Sequence, residues 1–204
     1  MNSSKAMIVA ALVVAALGGC AAPAEPGRMV PDGSAVSVRA DRHPLAGRVA
    51  IGEVGGGEVT NPMNVSKVGS DELREALRLS LDRYGFLSGG GQPAPFRLGA
   101  FLVELKQPQT GFILNVHAFV RYTLRRTAGG ELLFDEVLDG SYTATFSDSA
   151  VGLQRLKIAN EGAVRQSLAA LIRHLEALSI PDLSAGRVGG PSVTAGGFYV
   201  GALA

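Results

Sequence analysis

The stretch Leu114-Asn115-Val116-His117-Ala118-Phe119-Val120-Arg121-Tyr122-Thr123-Leu124-Arg125 decides the architecture, because its apolar residues fall on alternate positions. Leu114, Val116, Ala118, Val120, Tyr122 and Leu124 share one side of an extended chain. Asn115, His117, Phe119, Arg121, Thr123 and Arg125 take the other. Such a strand is buried on one face only, so it belongs to a sheet with a core beneath it and a more polar face above.

The two-residue period continues on both flanks. Upstream, Phe96, Leu98, Ala100 and Leu102 share a side, Phe101, Val103 and Leu105 are apolar on the other, and Gly99 marks a candidate bulge. Downstream, Ala128-Gly129-Gly130 supplies a turn and Leu133 to Phe146 returns as a partner strand, with Leu138, Tyr142, Ala144 and Phe146 predicted inward. A further short strand is predicted over Gly47 to Val54, where Val49 and Ile51 alternate with small residues.

Two segments change to helical spacing. Ser70 is placed to cap the first, with Asp71 and Glu72 in its first turn, Leu73, Ala76, Leu77, Leu81 and Tyr84 on one face, and Gly85 as a left-handed stop. The second runs from about Val151 to Leu178, with Val164, Leu168, Leu171, Leu175 and Leu178 on one stripe, a possible break at Gly162, and Glu161 and Arg165 as an exposed i,i+4 pair. Pro181 stops it. The order strand, helix, three strands, helix predicts an α+β two-layer sandwich: a four-stranded, mostly antiparallel sheet with two helices on one face and the other face open.

The ends of the chain read differently. Lys5, the apolar run Ala6 to Leu17 and the pair Gly18-Gly19 form an export leader that stops at Cys20, the one cysteine present. A membrane span needs roughly 20 apolar residues, more than this run supplies; a free thiol or an intermolecular disulfide is the other alternative. Leu17-Gly18-Gly19-Cys20 resembles the lipobox of bacterial lipoproteins, which implies a mature N-terminus at Cys20 carrying diacylglycerol on sulfur and a further acyl chain, commonly palmitate, on the amine. Ala21 follows; in this class an aspartate there resembles an inner-membrane retention signal, so its absence implies the periplasmic face of the outer membrane. The expected organisation is a leader over 1–19, a lipidated start and flexible tether over 20–43 with its three prolines, a folded domain over 44–182, and a glycine-rich disordered tail over 183–204 in which Phe198-Tyr199-Val200 could dock on a partner.

Charge and chemistry narrow the function. With Lys5 removed, 18 basic residues face 18 acidic ones, so no global field draws the chain to nucleic acid. Gly55-Gly56-Gly57 lacks the lysine and hydroxyl residue of a phosphate-binding loop. His43, His117 and His174 have no metal-ligand spacing, no Gly-x-Ser-x-Gly elbow occurs, and nothing in the sequence joins Ser147, His117 and Asp148. A non-catalytic protein without cofactor or metal is expected.

The arrangement also resembles the lipoprotein subunit of the outer-membrane lipopolysaccharide translocon. The likeness rests on the lipobox, the helix ending at Tyr84-Gly85, Arg97-Leu98 opening the second strand, the strand through Tyr122, and the Phe146-Ser147-Asp148 exit into the last helix. It covers roughly residues 45 to 180; Ala21-Ala22-Pro23 stands where that family commonly has a glycine and an aromatic residue. The resemblance implies a plug and assembly factor that binds a β-barrel partner and lipopolysaccharide. Phosphates on such a ligand require cations, and His117, Arg121 and Arg125 on the open face are the candidate binding residues, guanidinium groups being suited to bidentate phosphate contact. A solvated strand face is the plainer account of the same residues. A generic accessory lipoprotein of an envelope transport or secretion complex is one alternative function, and an envelope enzyme whose site the polar sheet face hides is another.

Overall fold

The computed structural model describes residues 22–33, 43–60, 67–90, 93–108 and 111–180. The expected leader over 1–19, Cys20 and the expected tail over 183–204 lie outside these. The described elements are α1 (Pro26–Met29), β1 (Val49–Gly55), α2 (Ser70–Arg83), β2 (Phe96–Lys106), β3 (Leu114–Arg126), β4 (Leu132–Ala144) and α3 (Gly152–Ala177).

The protein is α+β, with, among the described residues, a four-stranded sheet in the order β1-β2-β3-β4 and three helices. The sheet is mixed rather than mostly antiparallel. β1 and β2 run parallel because α2 carries the chain back between them, whereas β2, β3 and β4 are joined by turns and pair antiparallel. The strand predicted from Leu114 keeps its alternation: all six of its predicted inward residues are buried.

Helix α2 begins without the predicted cap. Gly69 stands at the N-cap and makes no side-chain bond, and the Ser70 hydroxyl instead accepts from the Gly57 amide at 3.2 Å, pinning the preceding loop. Its other end follows the sequence. Gly85 at φ 75° allows the Gly85 and Phe86 amides to donate back to the Asp82 and Leu81 carbonyls, with the Phe86 and Leu81 side chains both fully buried.

Helix α3 lies against β3 and β4 and is continuous through Gly162, where the sequence left a break open. Glycine serves close approach here. A methyl on Gly162 would overlap the Tyr142 ring, and one on Gly140 would stand inside 3.0 Å of the α3 backbone at Ala163 and Ser167. Between these contacts the Tyr122 hydroxyl meets Ser167 Oγ at 3.2 Å, and Ser167 donates to the Leu138 carbonyl at 3.1 Å. Burial raises the Tyr122 phenol far above its ordinary value.

Two predicted side chains are placed otherwise. Phe146 is 54% exposed, because β4 ends at Ala144 and the turn closed by the Asp148 amide on the Thr145 carbonyl ends the alternation. Phe134 takes a core position instead. Glu161 is buried rather than on an exposed face, and accepts from the Glu25 amide at 2.8 Å.

That last bond belongs to the largest difference from the sequence reading. Residues 22–33, assigned there to the tether, pack onto α2 and α3: Met29 is fully buried, Arg165 donates to the Arg28 carbonyl, and Arg83 and Tyr84 donate to the Pro31 carbonyl. Lys157, Glu161 and Glu25 form a linked ionic group beneath this segment, Lys157 lying 2.5 Å from Glu25 and 3.6 Å from Glu161.

Candidate functional site

Alternate side chains of β3 project from the sheet face away from α2 and α3, so Asn115, His117, Phe119, Arg121, Thr123 and Arg125 form one file. Among the described residues no helix packs on that face. The structure therefore places His117, Arg121 and Arg125 on one face as expected, but only Arg121 and Arg125 line a common groove, and His117 stands farther along the strand.

Register determines the difference. β4 sets Asp135 opposite Thr123 and Asp139 opposite Phe119, each one step diagonal to a predicted cation. Arg121 takes Asp135 in a two-pronged pair, both bonds 2.6 Å. That guanidinium holds the Asp135 carboxyl below the usual carboxylate range, with help from the Thr123 hydroxyl. His117 Nδ1 lies 3.3 Å from Asp139. Arg125 donates to the Gly130 carbonyl at 3.3 Å and makes no ion pair among the described residues.

A fourth cation completes the cluster. Arg97 of β2 pairs in register with Arg125, so two arginines stand side by side on neighbouring strands, and both line one groove. Arg97 has no hydrogen-bond or ion-pair partner among the described residues and is exposed. Like charges so placed repel unless an anion lies between them. The sequence placed Arg97 at a strand start but gave no means of seeing it beside Arg125, because register across the β2–β3 turn was unknown.

The groove beneath these arginines is floored by glycine. Gly52 and Gly55 of β1 and Gly99 of β2 contribute no side chain, and Phe101 forms one wall. Gly99 is closely approached by β1: an added methyl would lie 3.0 Å from the Glu53 carbonyl oxygen, so β1 would have to give way slightly to admit it. The bulge suspected at Gly99 is opposite it, in β1, where Ile51 and Val54 face Leu98 and Ala100 across a shifted register. The result is a trough of about 560 Å³ that is lined by Arg97, Arg121, Arg125 and Arg126 against one acidic side chain, Glu53. Arg126 is already paired, to Glu131 at 2.8 Å.

No catalytic arrangement is assembled from the other candidates. Ser147 and Asp148 turn inward on Thr145 in the β4–α3 connection, while His117 is engaged by Asp139 on the sheet. Among the described residues no group of three or more His, Cys, Asp or Glu could hold a metal ion, and no helix is long and apolar enough to cross a membrane. Cys20 lies outside the described residues.

No protein-family model matches the chain, and no curated protein matches it. Solved structures do. A Xanthomonas campestris protein of the DUF330 family aligns with TM-score 0.53 at 8% identity over 74% of this chain and 95% of its own. This likeness is one of fold. A candidate lipoprotein of Caulobacter crescentus aligns with TM-score 0.44 at 16% identity over 72% of this chain and 96% of its own. A hypothetical protein of Chlamydia trachomatis aligns with TM-score 0.46 at 16% identity over 65% and 97%.

Proposed function

We propose that the chain is a membrane-anchored, non-catalytic lipoprotein of the bacterial envelope, acylated at Cys20 and held at the outer membrane. Its glycine-floored trough takes a phosphate-bearing amphiphile, lipopolysaccharide in the reading the sequence favours, in company with a β-barrel partner. The observation that carries the ligand class is the Arg97–Arg125 pairing: two arginines in register on neighbouring strands, neither in an ion pair among the described residues, lining a groove with three glycines and the exposed Phe101 ring. A phosphate offers both of them charge and acceptor oxygens, and Phe101 offers apolar surface to the remainder of such a molecule. Arg121 contributes less than its position suggested, since Asp135 already occupies its fork.

Replacing Arg97 and Arg125 together with alanine in the lipidated full chain is expected to weaken lipopolysaccharide binding at least ~tenfold, at about 1.5–3 kcal/mol for each charged hydrogen bond lost. Unchanged affinity in the folded double variant removes the trough from the reading. A second function is favoured by a different observation. Arg121 is paired to the Asp135 carboxylate and His117 lies 3.3 Å from Asp139, a polar mosaic suited to a protein surface, and an accessory role in an envelope transport or secretion complex would use it. Crosslinking in native membranes separates the two: a large outer-membrane barrel supports the first, an inner-membrane transporter or a secretin the second.

A further inference from the structure

An exposed apolar cluster lies at the end of the sheet remote from the arginine trough. Phe112 and Ile113 in the β2–β3 connection are 73% and 66% exposed, and Phe146 and Val151 in the β4–α3 connection are 54% and 48% exposed. The two phenyl rings touch, with centroids 5.6 Å apart. The cluster is also braced from below. The Arg155 guanidinium stacks on Phe146 at 4.3 Å while donating to the Ser149 and Ala150 carbonyls, which fixes the connection to the first turn of α3. Four large apolar side chains exposed at one end of the sheet, two of them in ring contact and one of these braced by Arg155, form a contact surface rather than a lapse in burial.

The path of the N-terminal segment identifies what covers it. Glu25 meets α3 at Lys157 and Glu161, Arg28 meets it at Arg165, and Pro31 reaches the end of α2 at Arg83 and Tyr84. The segment thus runs in the same direction as α3, and its beginning is directed toward the helix's first turn, where Arg155 supports Phe146. Cys20 precedes Ala22 by two residues, a reach of at most about 7 Å. The acyl chains are therefore tied close to the end of the molecule that presents Phe112, Ile113, Phe146 and Val151. Were residues 22–33 a free tether, the anchor would say nothing about orientation; docked, they direct it.

We infer that this cluster inserts into the same leaflet that receives the Cys20 acyl chains, so that the domain stands on the membrane by this end with its trough at the other. The inference rests on the lipoprotein reading. It does not depend on what the trough binds. Aromatic and aliphatic side chains of this kind settle in the boundary between headgroups and acyl chains, where Ser147 and Asp148 beside them remain hydrated.

The chain contains no tryptophan, so single substitutions give an unmixed fluorescence signal. Phe112→Trp, Phe146→Trp and, as a control in the trough, Phe101→Trp are prepared in the full chain purified from membranes and reconstituted in vesicles of phosphatidylethanolamine and phosphatidylglycerol. Half of the vesicles carry brominated acyl chains. The inference expects blue-shifted emission from positions 112 and 146, quenched at least ~twofold by bromine at the 5–10 Å depth of interfacial residues, and no quenching at position 101. Unquenched emission at 112 and 146 in protein that floats with the vesicles overturns the docking while leaving the anchor intact, and this includes a blue shift without quenching, which indicates a protein contact. Protein that does not float and has an unmodified Cys20 by mass overturns the anchor and the docking together.

Discussion

Gly140 is the position at which the packing of α3 on the sheet can be tested most severely. A methyl there would fall inside 3.0 Å of the Ala163 carbonyl oxygen and the Ser167 amide nitrogen, while ordinary contact begins near 3.4 Å. Neither neighbour is the end of a flexible side chain, so Gly140→Ala must push helix and strand apart by roughly 1 Å. Tyr122 and Leu138 meet Ser167 at 3.2 Å and 3.1 Å, and neither bond survives a displacement of that size. Overpacking costs about 1–3 kcal/mol. Two buried hydrogen bonds left unmade add about 1–3 kcal/mol each, less any relaxation they share. The entropy lost by the unfolded chain returns about 0.4–1 kcal/mol. A net destabilisation of about 3–5 kcal/mol is expected, a large part of the roughly 5–15 kcal/mol that holds a domain together. With a urea dependence near 2 kcal/mol per molar, the unfolding midpoint measured by circular dichroism should fall by about 2 M. A shift under about 0.5 M would refute the close β4–α3 contact from which this magnitude is worked.

Tyr122→Phe keeps the buried ring and removes only the hydroxyl that meets Ser167, so urea denaturation should show a loss of about 0.5–1.5 kcal/mol. Arg97→Ala relieves repulsion with Arg125, so its unfolding midpoint should equal or exceed that of the unaltered protein even as anion affinity falls; a clear loss of stability would show that Arg97 has a structural partner. Acid should release the N-terminal segment selectively. Hydrogen bonding to Lys157, then to Arg28, lowers the Glu25 carboxyl below its ordinary 4.5, so its contribution is present above that value and is lost as pH falls through the folded pKa. Glu161 is shifted the other way, raised by burial, and takes its proton first as the solution is acidified. Amide exchange over residues 24–30 should stay protected at pH 5 and rise at lower pH before the sheet opens; protection unchanged down to global unfolding would show that the ion pair does not hold the segment.

Side-chain period made the sheet legible in the sequence. The alternation from Leu114 to Leu124 and the helical stripe from Val164 to Leu175 are enforced by burial of one face, and both were readable without knowing what lay opposite. Strand order and direction were not. Parallel pairing of β1 with β2 follows from how α2 crosses the sheet, which no period encodes. The candidate site shows the same division. His117, Arg121 and Arg125 could be assigned to a common face by counting in twos, yet their chemistry depends on register with other strands, which sets Asp135 against Arg121 and Arg97 against Arg125.

The tether reading had a physical basis that composition alone could not correct. Prolines and small residues between 21 and 43 do suggest an extended, solvated chain. The contrary signal lies 130 residues away, in the first half of α3. Residues 155–157 and 159–164 of that helix are all buried, including Arg155, Lys157, Asn160 and Glu161, although a helix on an open sheet should wet one side. Charges buried on the side away from a sheet need a cover that supplies partners, and Glu25 pairs with Lys157 while its amide donates to Glu161. A polar stripe in an otherwise apolar helix was therefore the mark of a docked segment. That segment begins two residues after the cysteine, so under the lipoprotein reading proposed above the same buried charges would tie the core of the domain to its acylated end, through the Glu25–Lys157–Glu161 contact.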